Sequence, residues 1–368
     1  MRIGVNLLFL VPGEVGGSEP LLTNLVEAMA EAGADLTVFA VKGFSGAYPN
    51  IASKTEVVEV PWSTGAQTRR IAAEHTWLPR QMRKRKLDLI HHGVGTAPFL
   101  KFRPTAVTVH DIQYRHYPEN FVKQKRVWLA VNVAHTVKRS DAVCVPSNWV
   151  AGDLTGQLSA DPARLHVVPF GSENLFGEDP ATADEVRQKY RLDREFFYFP
   201  GRTYPHKNHR FLLEAFKQLS HPADLVFTGA PWFRDKHIEA AARQMGLTGS
   251  VRHLGMVPRR DLAGLYAAAT ALVYPTWFEG FGAPVLEAMV TGCPVIASNV
   301  TAIPEVVGEA GILLEPSDVA GWSESMERVL VSSEARERLI GLGHHRAAEF
   351  SWARSAGLQL GAYRKAVV

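Results

Sequence analysis

Residues 271–298 read ALVYPTWFEGFGAPVLEAMVTGCPVIAS. The two ends, 271–275 and 294–298, are short runs that are apolar almost throughout. That is the pattern of a strand covered on both faces. The middle, about 284–291, reads as a helix, and Pro284 suits its first turn. Strand, loop, helix and strand in so short a span make one β-α-β unit, which implies parallel pairing.

The same alternation runs outward over the whole chain. Further strands are predicted at 2–9 (RIGVNLLF), 36–41, 56–60, 87–91, 105–110, 141–146 and 165–169, then at 196–200, 224–229, 251–254 and 311–315. Leu21, Leu25 and Met29 share one helical face, with Gly33 as its C-cap. Leu212, Leu213, Phe216 and Leu219 share another. The stretch 172–190 is polar and holds no strand, so it reads as a linker, with a helix starting near Asp184. Each side then carries enough strands for one doubly wound sheet, and the fold class is α/β. The last stretch, 345–368, reads as helix and can pack on either side.

Composition narrows the function classes. With 46% hydrophobic and 21% charged residues the chain reads as globular, and a net charge of +3 gives no argument for a nucleic-acid partner. Cys144 and Cys293 lie in separate apolar runs with no CxxC, so structural zinc is not expected and a reducing compartment is. The N-terminal MRIGVNLLFLVPGE reads as a core strand rather than a signal peptide. No window is long enough to span a bilayer. One segment, RRIAAEHTWLPRQMRKRK at 69–86, is strongly basic around Trp77 and Leu78. It reads either as a surface for anionic lipid or as a solvated basic helix with Trp77 in the core. Pro79 is expected to interrupt it as a single helix.

In doubly wound sheets ligands gather at the carboxyl ends of the strands, so the residues just after strands are informative. Gly16 and Gly17 follow the first strand and precede a helix predicted at 20–32. They allow close approach of a phosphate to a helix N-terminus, although a plain tight turn has the same pattern. The absent GxGxxG fingerprint argues against a dehydrogenase. Arg202 and Lys207 flank a turn containing Pro205, where a fork and a point charge can meet one anion. Two solvated loop cations would show the same spacing. Glu279 sits in the loop after 271–275, and Glu287 about a turn into the next helix, so the two can reach different parts of one ligand. Each alone reads equally as a solvated charge. His110 closes its strand and can donate a hydrogen bond or shuttle a proton, with His91 and His92 competing for that role.

Four blocks span nearly the whole chain: VGGSEP at 15–20, VTVHD at 107–111, GRTYPHKN at 201–208, and the long run 278–316 that opens FEGFGAPVLE. Together they resemble the retaining glycosyltransferases of family 4. The resemblance implies the GT-B fold, with two facing Rossmann-like domains. These would be 1–172, on the acceptor side, and 173–349, which binds the nucleotide sugar. A C-terminal helix, about 350–368, would cross back to the first. It implies that Arg202 and Lys207 hold the donor diphosphate and that Glu287 binds the ribose hydroxyls. Glu279 would lie beside the transferred sugar, with Phe281, Gly282 and Ala283 offering backbone amides. Gly16 and Gly17 would pack under the phosphates, with His110 near the sugar. Mannosyltransferase-like blocks favour GDP-mannose over UDP-glucose as donor. A glycan or lipid-linked acceptor is implied, which leans toward the anionic-membrane reading of 69–86 without closing the other, and the two cysteines place the enzyme in the cytoplasm. The chain departs from common members at Trp277 and at 169–172, PFGS.

No DxD motif occupies a credible site, so side-chain cations are expected to replace a metal, with no cofactor. Breaking a sugar–phosphate bond places negative charge on the leaving diphosphate, which those cations would stabilise. Nucleotide-sugar epimerases share this architecture, as would a non-catalytic nucleotide binder. The epimerase needs acid and base carboxylates on both faces of the sugar, for which no independent set is seen. The intact Arg202, Lys207, Glu279 and Glu287 argue against decay to a binder.

Overall fold

A computed structural model describes residues 1–13, 18–62, 67–101, 103–230 and 238–368. The chain divides into two units, Met1–Glu173 with Phe350–Val368, and Asn174–Glu349. Gly16 and Gly17 lie outside the described residues.

The first unit is built on seven parallel strands: β1 (Arg2–Leu7), β2 (Asp35–Ala40), β3 (Glu56–Glu59), β4 (Leu89–His92), β5 (Thr105–Thr108), β6 (Ala142–Val145) and β7 (Leu165–Val167). They lie in the order β3-β2-β1-β4-β5-β6-β7. β4, β5 and β6 are buried at every position, as their apolar runs require when helices cover both faces. The helix Ser18–Glu31 buries Leu22, Leu25, Val26 and Met29, and Gly33 follows it in the left-handed region at φ +79°.

The basic segment forms one helix, Gln67–Arg85, which continues through Pro79. The expected interruption does not occur. Proline inside a helix costs about 3 kcal/mol. Burial of Trp77, Leu78 and Met82 in one cluster offsets it, at roughly 1.5–3 kcal/mol per large apolar side chain. Trp77 packs edge-on to Phe39, with ring centroids 5.9 Å apart. The apolar side chains of this helix thus face the core, and Arg80, Arg83 and Lys84 face solvent. Among the described residues no helix is long and apolar enough to cross a membrane.

The chain's end forms two helices, Ser333–Ala347 and Trp352–Val367. Ser351 caps the second by accepting from the Arg354 N–H. This last helix belongs to the first unit. The Trp352 indole donates to Glu173 O at 2.9 Å, Ser355 to Pro169 O at 2.6 Å, and Tyr363 bonds His91 Nδ1 at 2.7 Å. Gly171 permits the approach, since a Cβ there would sit 2.4 Å from Trp352 N.

The second unit carries β8 (Phe196–Pro200), β9 (Asp224–Thr228), β10 (Val251–His253), β11 (Ala271–Tyr274), β12 (Val295–Ser298) and β13 (Ile312–Leu314). All are parallel, in the order β10-β9-β8-β11-β12-β13. Its opening helix, Ala183–Tyr190, starts on a reciprocal cap between Thr182 and Glu185.

Candidate active site

In the second unit the strand order reverses at β8, with β9 and β10 on one side and β11 to β13 on the other. The crevice outside the carboxyl ends at such a reversal is the ligand site of open α/β sheets. Arg202 and Lys207 follow β8, and Glu279 follows its neighbour β11. The Lys207 ammonium donates to the Tyr274 hydroxyl at 2.5 Å and pairs with Glu279 Oε1. It also lies 4.8 Å from the Tyr274 ring centroid. The Tyr274 hydroxyl donates to the same Oε1 at 2.8 Å, and the Thr276 hydroxyl at 3.2 Å. Three donors therefore converge on one oxygen. The other, Oε2, has no hydrogen-bond partner among the described residues.

Backbone features hold this cluster. The Glu279 N–H donates to Thr301 Oγ1 at 3.1 Å, and Thr301 sits in the left-handed region at φ +53°. A β-branched residue is costly there, and such strain clusters at functional sites. Gly229, at φ +117°, lets the loop after β9 lie against the turn after β8; a Cβ would sit 2.5 Å from Gly201 O. Gly282, at φ +96°, caps the helix Ala283–Val290, and a Cβ there would meet Ile303 at 2.5 Å. Phe281 is buried beside it. The first turn of that helix presents backbone N–H groups, less the one that Pro284 lacks.

Glu287 is held apart from Glu279. Its Oε2 accepts from the Tyr266 hydroxyl at 2.7 Å. Burial pushes its carboxyl above the usual range, opposed by that hydrogen bond and by the Arg259 charge. Tyr266 is fully buried and edge-on to Tyr198, with centroids 5.0 Å apart. Arg202 is exposed and makes no side-chain hydrogen bond or ion pair among the described residues.

His110, in the first unit, follows β5, and its ring lies 5.9 Å from that of Phe170. Burial drives it down to about 4, against a hydrogen bond to the Gly93 backbone that raises it. The ring is therefore neutral near pH 7. Its Nε2 is buried with no partner. A ring that donates through its other nitrogen leaves Nε2 as an acceptor for a hydroxyl. The rival histidines serve the interior instead. His91 bonds Thr108 Oγ1 at 2.8 Å as well as Tyr363, and His92 Nδ1 accepts from Asn6 Nδ2 at 3.0 Å. His110 also faces a cavity of about 430 Å³ within this unit, together with Arg70, Asp111 and Lys125.

Tyr274, Tyr266, Thr276 and Thr301 are the site residues that sequence reasoning missed. The two tyrosines sit in apolar runs and read as core. Tyr274 carried one usable signal, its place at the carboxyl end of a strand.

Two family models match the chain: "Glycosyltransferase Family 4" over 15–172 and "Glycosyl transferases group 1" over 194–332. The O-antigen chain mannosyltransferase B of Escherichia coli is 30% identical over 283 residues, 75% of this chain and 74% of that protein. The O-antigen chain mannosyltransferase RfbU of Salmonella typhimurium (strain LT2) is 27% identical over 246 residues, 67% of this chain and 65% of that protein. The structure of sucrose-phosphate synthase from Thermosynechococcus elongatus superposes with a TM-score of 0.77 at 21% identity. The superposition covers 99% of this chain and 98% of that one. At that identity the likeness establishes the fold, which is GT-B.

Proposed function

The chain belongs to the family 4 and group 1 glycosyltransferases, and from that premise we propose that it transfers a hexose, with retention of anomeric configuration, from a nucleotide diphosphate sugar to a glycan or glycolipid acceptor. GDP-mannose is the favoured donor, supported by the two mannosyltransferase relatives, and UDP-glucose comes next. The observation that carries the reading is the Lys207–Glu279 pair at the carboxyl ends of adjacent strands. A cation and a carboxylate held together there suit a ligand that is a phosphate at one end and a polyol at the other. The sugar C1–O bond to the diphosphate breaks, and its electron pair leaves on the phosphate oxygen. The acceptor oxygen bonds to C1, and its proton passes to that phosphate. Lys207 and Arg202 stabilise the leaving charge. Glu279 Oε2 holds a sugar hydroxyl.

Incubation with a panel of nucleotide sugars tests this. A transferase releases free nucleoside diphosphate only as acceptor is glycosylated. An isomerised donor would indicate an epimerase, and unchanged donor a binder.

The two carboxylates should separate. Glu287→Ala is expected to weaken nucleoside diphosphate binding about 10- to 100-fold, the scale of a charged hydrogen bond. Glu279→Ala should leave that binding within about twofold while lowering turnover. Calorimetry with the bare nucleotide checks both, and the opposite pattern would reverse the roles.

Side-chain cations also make transfer independent of metal. Turnover in excess EDTA should match that without it. Loss in EDTA with recovery on adding magnesium or manganese would refute the metal-free reading. We place the enzyme in the cytoplasm, a choice supported by two buried free thiols. Any contact of the helix Gln67–Arg85 with an anionic membrane would rest on charge, because its apolar side chains are turned inward.

A further inference from the structure

Tyr274 carries more polar pairing than a core residue needs. It ends β11, which lies between β8 and β12, and it is fully buried. Its ring stands edge-on to Phe199, with centroids 5.3 Å apart, and its carbonyl accepts from the Ser298 hydroxyl at 3.3 Å. A phenylalanine has the shape to fill that space, as Phe196, Phe197 and Phe199 fill theirs on the neighbouring strand. Packing therefore does not account for the hydroxyl, and a buried hydroxyl is costly unless paired. This one is paired with both charges of the site. It accepts from the Lys207 ammonium at 2.5 Å and donates to Glu279 Oε1 at 2.8 Å. Burial, then the Glu279 charge, hold it well above the usual tyrosine range, so it keeps its proton and remains a donor. The three groups also differ in stiffness. Lys207 has a flexible four-carbon stem, and Glu279 stands in a loop. Tyr274 has two side-chain torsions on a strand paired on both sides. An ammonium has three N–H donors. Among the described residues Lys207 commits them to two acceptors, Tyr274 and Glu279.

We propose that Tyr274 is a positioning residue: its hydroxyl locks Lys207 and Glu279 into one arrangement that leaves the third ammonium N–H for the donor diphosphate. This rests on the transferase reading above and deepens it. Groups that bind a reacting ligand are held only as precisely as the packed side chains behind them. Without the hydroxyl the ammonium and the carboxylate keep their attraction but lose their fixed point. The ammonium is then free to turn a second N–H to the carboxylate, at the expense of the phosphate. Tyr274 itself touches no substrate and acts through the two charges.

The test compares Tyr274→Phe in the full chain and in a Lys207→Ala background. Calorimetry with GDP and with UDP gives nucleotide affinity, and steady-state kinetics gives turnover on the donor that the nucleotide-sugar panel selects. The control is Tyr266→Phe, which removes an equally buried hydroxyl, the one that donates to Glu287. In the parent, Tyr274→Phe should lower turnover about 10- to 100-fold, the scale of hydrogen bonds to charged groups. It should weaken binding of the preferred nucleotide about three- to tenfold, the scale of one ordinary hydrogen bond. In the Lys207→Ala background it should change that affinity by less than about twofold, because its route to the phosphate is gone. Tyr266→Phe should weaken binding by the same factor in both backgrounds. The melting midpoint of Tyr274→Phe should stay within a few degrees of the parent, since the ring is kept. A loss of nucleotide affinity equal in both backgrounds overturns the proposal, as does parental turnover retained within about twofold. A collapsed melting midpoint assigns the hydroxyl to the fold and overturns it too. A parent that binds nucleotide yet turns over no donor fails the transferase reading alone, and the calorimetric comparison still decides the role of Tyr274.

Discussion

Replacing Lys207 by alanine is expected to lower turnover by about two to three orders of magnitude, the scale of removing one preorganised electrostatic contact. Two consequences act in the same direction. On the proposed mechanism, the leaving diphosphate loses a cation fixed at the carboxyl end of β8. Glu279, of which little is exposed, loses the only charged donor it has among the described residues and keeps the Tyr274 and Thr276 hydroxyls. A carboxylate stranded in that way costs more than the pair itself was worth. The two positions are therefore coupled. Adding Glu279→Gln to Lys207→Ala should cost much less than the sum of the separate losses, as contacting residues do not behave additively. Arg202→Ala removes a cation that has no side-chain partner among the described residues, so it should lower turnover while remaining additive with Glu279→Gln. Steady-state kinetics on the four-member cycle checks this. Turnover of Lys207→Ala within a factor of about two of the parent would remove Lys207 from the site.

The division between what the sequence disclosed and what it hid follows chain distance. The inner strands of both sheets were legible because a strand buried on two faces must be apolar along its length and must stop at a turn, and the half-buried edge strands β3, β7, β10 and β13 were legible from their place in the alternation. The helices at 18–31 and 283–290 were legible for a related reason, since the first shows one apolar stripe and the second a proline in its first turn. The pairing of Lys207 with Glu279 was not. Those residues are 72 positions apart and meet only because β8 lies beside β11, a neighbour relation that no local pattern encodes. Tyr274 and Tyr266 were hidden because an aromatic residue in an apolar run is normally core. Both are buried, and only the carboxylate at the end of each hydroxyl reveals a second role. The choice among His91, His92 and His110 likewise depended on partners distant in sequence, Tyr363 for one and Asn6 for another. The helix through Pro79 shows tertiary packing overriding a local rule, with Trp77 and Leu78 held in the core on one side of the proline and Met82 on the other.

Lowering the pH from 7.5 to 5 should sharply destabilise both units. His91 and His92 in the first, and His206 and His209 in the second, are all buried, and burial is the largest cause that drives each down to about 3. The Lys207 charge adds to the effect on His206 and His209. In the unfolded chain a histidine titrates near 6.5. Between 6.5 and 3 the unfolded state therefore binds protons that the folded state does not, and stability falls as pH falls through that window. At pH 5 each ring contributes a loss of up to about 2 kcal/mol, from roughly 1.4 kcal/mol per pH unit. Two rings per unit then remove about 4 kcal/mol from a domain whose whole stability is on the order of 5–15. Glu74 and Glu287 act in the opposite sense, because burial raises both carboxyls and they take up protons more readily when folded. Asp224 in the second unit joins them, but His110 and His166 in the first unit and His253 in the second are also lowered by burial, so lowered histidines outnumber raised acids in each unit and the net sign stays destabilising. His92 shows why the ring resists protonation: its Nδ1 lone pair accepts from the Asn6 amide, and a protonated nitrogen has none to offer. Thermal melts across pH 5 to 7.5 measure the effect. A midpoint falling by 10 °C or so toward pH 5 is the expected result, at a few degrees per kcal/mol. A midpoint flat over that range would mean that these histidines are not held neutral by the interior.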